Sequence, residues 1–342
     1  MRPTALALTT LLFTTTLTLA QEQTPATPAA TPPATAPDAT LAPKWPVISG
    51  AAAEEIAGVV AKGTRIYTWS DGHTFTEGPA CAPDGTMYFT DVPGNSIVRL
   101  DPQGASVALK DSKGMNGLFF GKDGTLYGCQ SAAQRIVAMT LENGVVKGEP
   151  RVVCDKGPAG IDLGRVNDLV LDRSGGIWFT APVIGRKKAG NAPDAVYYCP
   201  IEGGEAVQVV RSDTVLAPNG VHLSPDSKTL YVLPYLSLEV MAYPIEGPGK
   251  LGEGKVFYKI PGGTRETIGG DGLTVDTRGN VFITIPARQA VFVLSPEGAP
   301  LGMIRFAQRP SNCALGGKEG RTLFVTAQKS VYSIDVEGAR SR

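Results

Sequence analysis

Histidine, charge and long apolar runs are scarce in this 342-residue chain. It has two histidines, 19% of its residues are charged, and 32 basic side chains balance 32 acidic ones. Two histidines cannot build a His-cluster metal site, and their scarcity argues against a Ser-His-Asp triad. We therefore predict that His73 and His222 are structural. A net charge of zero gives no basic footprint for nucleic acid or an anionic membrane.

Cysteine is also sparse, and it is spread without any Cys-x-x-Cys pair, which excludes the usual zinc-ligand spacing. The odd count and the apolar neighbours favour small buried side chains over a disulfide framework. One bridge in an exported protein is the alternative. The five positions are Cys81, Cys129, Cys154, Cys199 and Cys313.

The N-terminal residues differ in composition from the rest of the chain. Residues 1–20 carry Arg2, a largely apolar run and a Thr-Leu-Ala ending at Ala20, which predicts a signal peptide and export to the periplasm or the medium. The run is too short and too rich in threonine for a good membrane span, so an uncleaved anchor is the lesser alternative. Residues 21–43 are an Ala/Pro/Thr-rich segment predicted to be a disordered linker. The folded domain is then residues 44–342, with one expected short helix at residues 51–61.

One pattern recurs six times between residues 77 and 325. It consists of an oxygen-bearing lead residue, a short strand, a polar turn and a second apolar strand, as in residues 271–284. Each lead residue stands eight positions before a turn residue. The lead residues are Glu77, Asn116, Asn167, Asn219, Asp271 and Asn312, and the turn residues are Gly85, Gly124, Gly175, Ser227, Gly279 and Gly320.

Six copies at about 40–50-residue spacing predict an all-β, six-bladed β-propeller with four antiparallel strands per blade. The last repeat is one strand short, so we expect residues 64–69 to complete that blade and close the ring. The connections after the second strands then lie over one face. The longest of them, residues 182–194, is a candidate lid whose Arg186, Lys187 and Lys188 either attract an acidic group or form a solvated tip.

The six lead residues should meet on one rim of the central channel, because each opens an innermost strand. Two carboxylates and four amides form an oxygen ring with about two negative charges, which suits a hard divalent cation. Asn-Gly and Asp-Gly pairs are also common turn formers and need not bind anything. Six pairs in register, two of them acidic, favour the metal site.

These motifs resemble those of the gluconolactonase/senescence-marker-protein (regucalcin) family of six-bladed propellers. The resemblance covers nearly all of residues 70–330 and includes Glu77-Gly-Pro, Arg165-Val-Asn167-Asp168, Pro218-Asn219-Gly220, Asp271-Gly272-Leu273 and Ser311-Asn312-Cys313. It implies one axial divalent cation, calcium ahead of zinc, magnesium or manganese, and hydrolysis of lactones or related esters. By motif, the implied metal ligands are Glu77, Asn219 and Asp271, with Asn167 at the metal or its water. Arg165 is the implied substrate-contacting residue.

The pocket departs from the resembled pattern at three positions. Gln130 and Ser131 stand where many relatives have Glu-His, and Ala181 stands where they have aspartate, so the substrate is less certain than the metal. The expected mechanism uses the cation to polarise a lactone carbonyl, Asp271 as general base, and Arg165, Asn116 and Asn167 to orient a small substrate, a lactone or sugar derivative.

Two other functions remain open at this stage. One is a non-catalytic, metal-stabilised propeller that binds a glycan or protein partner. The other is a propeller enzyme that acts on another modified sugar or small ester. The oxygen ring serves binding and catalysis alike. Oligomeric state is not readable from these motifs.

Overall fold

The computed structural model describes residues 47–183, 194–211, 215, 217–262 and 269–337. The predicted signal peptide and linker, and residues 184–193 of the candidate lid with its three basic side chains, lie outside these ranges. The described chain is built almost entirely of β-strands, with two short 3-10 turns at Pro158–Gly160 and Pro286–Arg288. Within those ranges, no helix has the length and apolar character needed to span a bilayer.

The strands form six antiparallel sheets, one per blade. The chain begins with β1 (Val47–Ala52) and β2 (Arg65–Ser70). Blades 1 to 3 comprise β3 (Thr76–Cys81), β4 (Met87–Asp91), β5 (Ser96–Asp101) and β6 (Gly104–Lys110); β7 (Met115–Phe120), β8 (Leu126–Gln130), β9 (Arg135–Glu142) and β10 (Val145–Cys154); and β11 (Leu169–Leu171), β12 (Gly176–Ala181), β13 (Ala195–Pro200) and β14 (Val207–Arg211).

Blades 4 to 6 follow the same plan, with a short extra strand in blade 4. They comprise β15 (Pro218–Leu223), β16 (Thr229–Pro234), β17 (Glu239–Gly247), β18 (Lys250–Leu251) and β19 (Lys255–Lys259); β20 (Leu273–Val275), β21 (Val281–Ile285), β22 (Ala290–Leu294) and β23 (Pro300–Arg305); and β24 (Pro310–Gly316), β25 (Thr322–Ala327) and β26 (Ser330–Asp335). The first strand of each blade contacts the first strand of the next, and β24 contacts β3, which closes the ring.

The ring closes through the N-terminal strand, as predicted. β2 pairs antiparallel with β26, with Ile66 opposite Ile334, and so supplies the fourth strand of blade 6. β1 adds a fifth strand outside β2. Joining the two ends of the chain in one sheet removes the open edges that an incomplete last blade would leave.

The predicted helix at residues 51–61 is wrong. Residues 51 and 52 belong to β1, and Gly58 adopts a left-handed φ of 72°, which interrupts any α-helix. An antiparallel bridge joins Ile56 to Val60, and both are buried in the core cluster between blades 5 and 6. Burial of these apolar side chains therefore outweighed the local helix propensity of the Ala/Glu segment.

The repeated turn has a local explanation. All six predicted turn residues have left-handed φ, from 62° at Ser227 to 90° at Gly279. Five of the six turns also carry an aspartate whose side chain accepts a backbone N–H two residues on, as Asp84 does from Thr86 (2.9 Å). These two features define a tight Asx-type turn, which is why the pattern is visible in the sequence.

The hydrophobic core of the described chain is divided among the seams between blades. Six clusters of buried side chains each join two neighbouring blades; the one between blades 1 and 2, for example, contains Ile97, Met115 and Leu126. Each blade therefore buries apolar side chains on both faces. The innermost strands are left to face the axis, where the polar lead residues lie.

Candidate axial site

The six lead residues open the innermost strands, as predicted. Glu77, Asn116, Asn219 and Asn312 lie within the first two or three residues of β3, β7, β15 and β24, while Asn167 and Asp271 stand two residues before β11 and β20. The pairing of the first two strands shifts register at four of these positions. The lead pairs are thus bulges within sheets, and they do not form hairpin turns.

The residue after each lead residue explains how the inner strands come so close together. In four blades it is glycine, and a methyl group there would collide with the backbone or side chain of the next blade's lead residue. Three of the resulting contacts are backbone hydrogen bonds between blades: Gly117 N to Asn167 O (2.7 Å), Gly220 N to Asp271 O (2.7 Å) and Gly272 N to Ser311 O (2.8 Å). The glycines therefore serve close approach around the axis.

Buried threonines on the second strands fix the same backbone. Each donates its hydroxyl hydrogen to a carbonyl at the start of the next blade's inner strand. The bonds are Thr90 Oγ1 to Asn116 O (3.0 Å), Thr180 Oγ1 to Asn219 O (2.5 Å) and Thr284 Oγ1 to Ser311 O (2.9 Å). All three threonines are fully buried, and their hydrogen bonds hold the backbone at the lead residues in place.

Two amides of the ring are hydrogen bonded to carboxylates. The Asn312 side chain bonds both Glu77 and Asp168, while its own Oδ1 accepts from Cys313 N at 2.8 Å. The Asn219 side chain bonds Asp271. Residues far apart in the sequence are therefore joined in one polar network at the axis.

Three carboxyl groups share this network, and their pKa values are all raised. Burial raises the pKa of Asp168 to about 7, against hydrogen bonds from Leu169 N, Val221 N and Asn312. Burial, and then the charge of Asp168, raises the pKa of Asp271 to about 7. For Glu77, burial and then Asp271 raise the pKa well above its usual range.

Asp168 had no role assigned from the sequence, although a signal was present. It follows a lead residue at the position where four other blades have glycine, and Cys313 is the other exception. Asp168 is 6% exposed; its Oδ1 accepts from Leu169 N (3.0 Å) and its Oδ2 from Val221 N (3.3 Å). A buried carboxyl group at a position that is glycine in four other blades indicates a functional role for negative charge at the axis.

The residues present fit a cation. Among the described side chains, no lysine or arginine lowers the pKa of Glu77, Asp168 or Asp271. Asn116 Oδ1 is buried, and no donor among the described residues bonds to it, so a carbonyl oxygen is available there. A hard divalent ion would supply both the missing positive charge and a partner for that oxygen.

Carboxylates alone do not complete such a site. Within the described ranges, no three His, Cys, Asp or Glu side chains are close enough together to hold a metal ion. Amide oxygens must therefore supply part of the coordination, as the mixed ring requires.

The remaining predicted residues fall into two groups. Arg165 is exposed, and no described group accepts a hydrogen bond or ion pair from its guanidinium, so it does not bridge blades. Gln130 and Ser131 are buried: Gln130 Oε1 accepts from Arg135 Nε at 2.6 Å, and the Ser131 hydroxyl donates to Val166 O. Ser131 therefore supports the segment that carries Arg165 and Asn167, whereas Gln130 bonds Arg135 and Ser112 O. Ala181 ends β12 and is also buried.

A cavity of about 460 Å³ lies at the end of the ring where the inner strands lead into the repeated turns. Asp168 and Asn312 line it together with inner-strand residues that follow the lead residues, such as Leu118, Val221 and Leu273. The network of carboxylates and amides therefore stands between this cavity and the face where the inner strands begin.

The histidines do not enter the axial network. His222 lines the cavity, and its Nδ1 is 3.0 Å from Leu223 O. His73 Nε2 is 2.7 Å from Ser70 Oγ, but its Nδ1 is 3.9 Å from Asp91, whose oxygens already accept three backbone N–H groups. Because Ser70 is 3% exposed and the histidine–aspartate distance is too long, this trio anchors a loop and is not a catalytic triad.

Comparison with known proteins gives a consistent result. The family model described as the SMP-30/Gluconolactonase/LRE-like region matches residues 75–329. The chain is 28% identical over 308 residues to a gluconolactonase of Zymomonas mobilis, covering 79% of this chain and 81% of that protein. It is 29% identical over 285 residues to diisopropyl-fluorophosphatase of Loligo vulgaris, covering 74% and 86%. The fold resembles the calcium-binding regucalcin of Agrobacterium tumefaciens, with a TM-score of 0.65, 19% identity, and coverage of 84% and 96%.

Proposed function

Because the chain belongs to the SMP-30/gluconolactonase/LRE-like family, we propose that it is a metal-dependent hydrolase that opens a sugar lactone or a related small ester. The single observation that carries the proposal is the axial network: three buried carboxyl groups with no basic partner among the described side chains, beside an amide oxygen that no described donor satisfies. Gluconolactonase and diisopropyl-fluorophosphatase are both hydrolytic enzymes by name, and they match most of the chain.

The ligands proposed for the cation are Glu77, Asn167, Asn219 and Asp271. When bound, a divalent cation there supplies a Lewis acid for the ester carbonyl and the counter-charge that the carboxylates lack. A site made only of oxygen donors favours calcium, magnesium or manganese over a metal that prefers nitrogen and sulfur ligands, and calcium is the first choice. The similarity to a regucalcin described as calcium-binding supports the same choice.

Asp271 is the proposed general base. Its pKa is raised to about 7, and the Asn219 side chain holds it in place. With a cation held beside it, Asp271 would be in its carboxylate form at neutral pH, and that carboxylate would accept a proton from the attacking water. The water oxygen bonds to the carbonyl carbon, the ring C–O bond breaks, and the protonated Asp271 carboxyl gives its proton to the departing alkoxide.

Substrate orientation is assigned to three residues. Arg165 is exposed and free to bind hydroxyl or carboxylate oxygens, because no described group holds its guanidinium. Asn116 and Asn167 are partly exposed on the inner strands beside the metal ligands. A polyhydroxylated lactone offers oxygens for all three.

Export is part of the proposal and depends only on residues 1–20. The Arg2-led apolar run and the small residues ending at Ala20 support a cleaved signal peptide. Expression of the full chain in a bacterium, followed by N-terminal sequencing of the periplasmic protein, tests it. A periplasmic product that begins after Ala20 is expected.

The test of the activity is pH-stat hydrolysis of a panel of small lactones, gluconolactone among them. It is run on chelator-treated protein and again after calcium, zinc, magnesium or manganese is restored. We expect metal-dependent turnover that Asp271→Asn abolishes, while Asp335→Asn, exposed at the end of β26 in blade 6, leaves it unchanged. Full activity of the Asp271 variant would remove the base assignment. A tightly bound cation without turnover on any lactone or ester would favour the non-catalytic binding propeller.

A further inference from the structure

Two cysteines meet at the seam between blades 2 and 3. Cys154 is the last residue of β10, the outermost strand of blade 2, and Cys199 lies in β13 of blade 3. Both belong to the same buried cluster, with exposures of 1% and 0%. They are 45 residues apart in the sequence, so only the packing of one blade against the next brings them together.

The two side chains interact with each other. A side-chain hydrogen bond joins Cys199 and Cys154. Each sulfur also lies near a backbone carbonyl of the same seam: Cys199 Sγ is 3.8 Å from Gly204 O, and Cys154 Sγ is 3.5 Å from Lys156 O. A disulfide needs two side chains that packing brings together, and these two lie in one buried cluster and share a hydrogen bond.

The backbone on both sides of the pair is held in register. Gly204 N donates to Val153 O at 3.3 Å, and Ala206 N donates to Lys156 O at 2.8 Å. At Gly203 the chains approach so closely that a side chain would lie 3.0 Å from Val153 O. The segment after Cys199 is therefore fastened to the segment around Cys154, which leaves the two sulfurs little freedom to separate.

We propose that Cys154 and Cys199 form a disulfide that locks blade 2 to blade 3. The Cys154 thiolate attacks one sulfur of a disulfide oxidant, such as glutathione disulfide or a protein thiol-disulfide oxidoreductase, and releases one thiol. The Cys199 thiolate then attacks the Cys154 sulfur of the mixed disulfide and releases the second thiol. The pair loses two electrons and two protons, and the oxidant's disulfide gains them.

The pKa directions support this order of attack. The hydrogen bond from Cys199 lowers the pKa of Cys154, and the same bond is the largest cause of a raised pKa for Cys199. The three remaining cysteines behave differently, because burial raises the pKa of Cys81, Cys129 and Cys313. Among the described cysteines, only the seam pair share a hydrogen bond between sulfurs.

The proposed disulfide is linked to the axial site by the connection between blade 2 and blade 3. Cys154 begins the connection from β10 to β11, and that connection carries Arg165 and Asn167. A bond at its start restricts how far blade 2 and blade 3 can part there. The disulfide is independent of the proposed hydrolase activity and is measured without it.

The experiment counts thiols on the full chain. Protein refolded from urea with glutathione disulfide is unfolded again, its free thiols are blocked with N-ethylmaleimide, and its intact mass is measured beside a fully reduced sample. Five cysteines less one pair leave three blocked thiols in the oxidised protein and five in the reduced one. Proteolysis should then yield one cross-linked species joining the peptides that contain Cys154 and Cys199.

Matched variants separate this pair from the others. Cys199→Ser should show all four remaining thiols blocked after oxidation, while Cys81→Ser, outside the seam, should show two blocked and the same cross-linked peptides. The oxidised wild type should melt about 5 °C or more above the reduced form. Five blocked thiols in the oxidised wild type would overturn the proposal, and so would a cross-link through Cys129, the other cysteine of this cluster. Because the wild type alone gives both readouts, the test does not depend on the variants folding.

Discussion

Replacing Asp168 with asparagine removes one of the three axial carboxyl groups and keeps the size of the side chain. In the metal-free protein this carboxyl is buried with no basic partner among the described side chains, and its pKa is raised to about 7 from the usual 3.8. A carboxyl with a raised folded-state pKa stabilises the fold fully below its unfolded pKa and loses that contribution as pH rises through the folded value. Wild-type metal-free protein should therefore lose stability between about pH 4 and pH 7.

The two opposing effects of Asp168→Asn can be compared at pH 8. A shift from 3.8 to about 7 corresponds to about 4 kcal/mol of destabilisation by the ionised carboxylate, which the amide relieves. The amide has one acceptor oxygen, so either Leu169 N or Val221 N loses its partner, at about 1–3 kcal/mol. The variant should be more stable than wild type by about 1–3 kcal/mol. At pH 5, about one unit above the unfolded pKa of 3.8, wild type has lost only about 2 kcal/mol. The same lost hydrogen bond offsets this amount in the variant, so the two proteins should differ by about 1 kcal/mol or less.

Thermal unfolding in the presence of a chelator, at pH 5 and pH 8, measures this difference. At about 2–4 °C per kcal/mol, the variant should melt a few degrees above wild type at pH 8 and close to it at pH 5. Asp335→Asn, exposed in blade 6, is the control and should change neither value. Restoring calcium should raise the melting temperature of wild type more than that of Asp168→Asn. A variant less stable by the same amount at both pH values would refute the electrostatic reasoning.

Three further predictions concern the support of the ring and the binding of substrate beside it. Gly272→Ala should reduce lactone turnover at least about tenfold, because the added methyl group displaces the Asn312 amide, whereas Gly247→Ala, where the space is open, should keep full activity in the same assay. Arg165→Ala should raise KM about tenfold without a change in melting temperature, since the side chain has no described protein partner; a loss of stability would show that it is structural. Ser131→Ala should lower calcium affinity in a titration followed by calorimetry, because it releases Val166 O beside Asn167, and unchanged affinity would contradict that support role.

Much of the fold is a property of short segments. A turn residue with left-handed φ follows each lead residue by eight positions, and the strands on either side alternate or are continuously apolar. Each of these features depends on a few neighbouring residues, so six copies of them predicted six blades. The strand that closes the ring followed from counting, since blade 6 was one strand short and the chain before Glu77 had one strand to spare.

The sequence was less informative where distant segments compete or meet. Residues 51–61 have the composition of a helix, but Ile56 and Val60 gain more by burial between blades 5 and 6. The glycine that follows four of the six lead residues is typical of a turn in the sequence, but in the structure it makes room for the next blade's lead residue. Asp168 is visible in the sequence, but its importance to the site depends on its burial beside two other carboxyl groups, which the sequence does not reveal.

The sequence by itself therefore determined the number of blades, their turns, the closing strand and the six residues that open the inner strands. Only the tertiary structure decided that Asn312 joins Glu77 to Asp168, that the described part of the chain places no basic side chain beside the three carboxyl groups, and that Cys154 meets Cys199. The physical reason is the distance along the chain over which each interaction acts. Turns and strand patterns are set by neighbours in the chain, whereas the pKa of a carboxyl and the pairing of two thiols are set by what packing places around them.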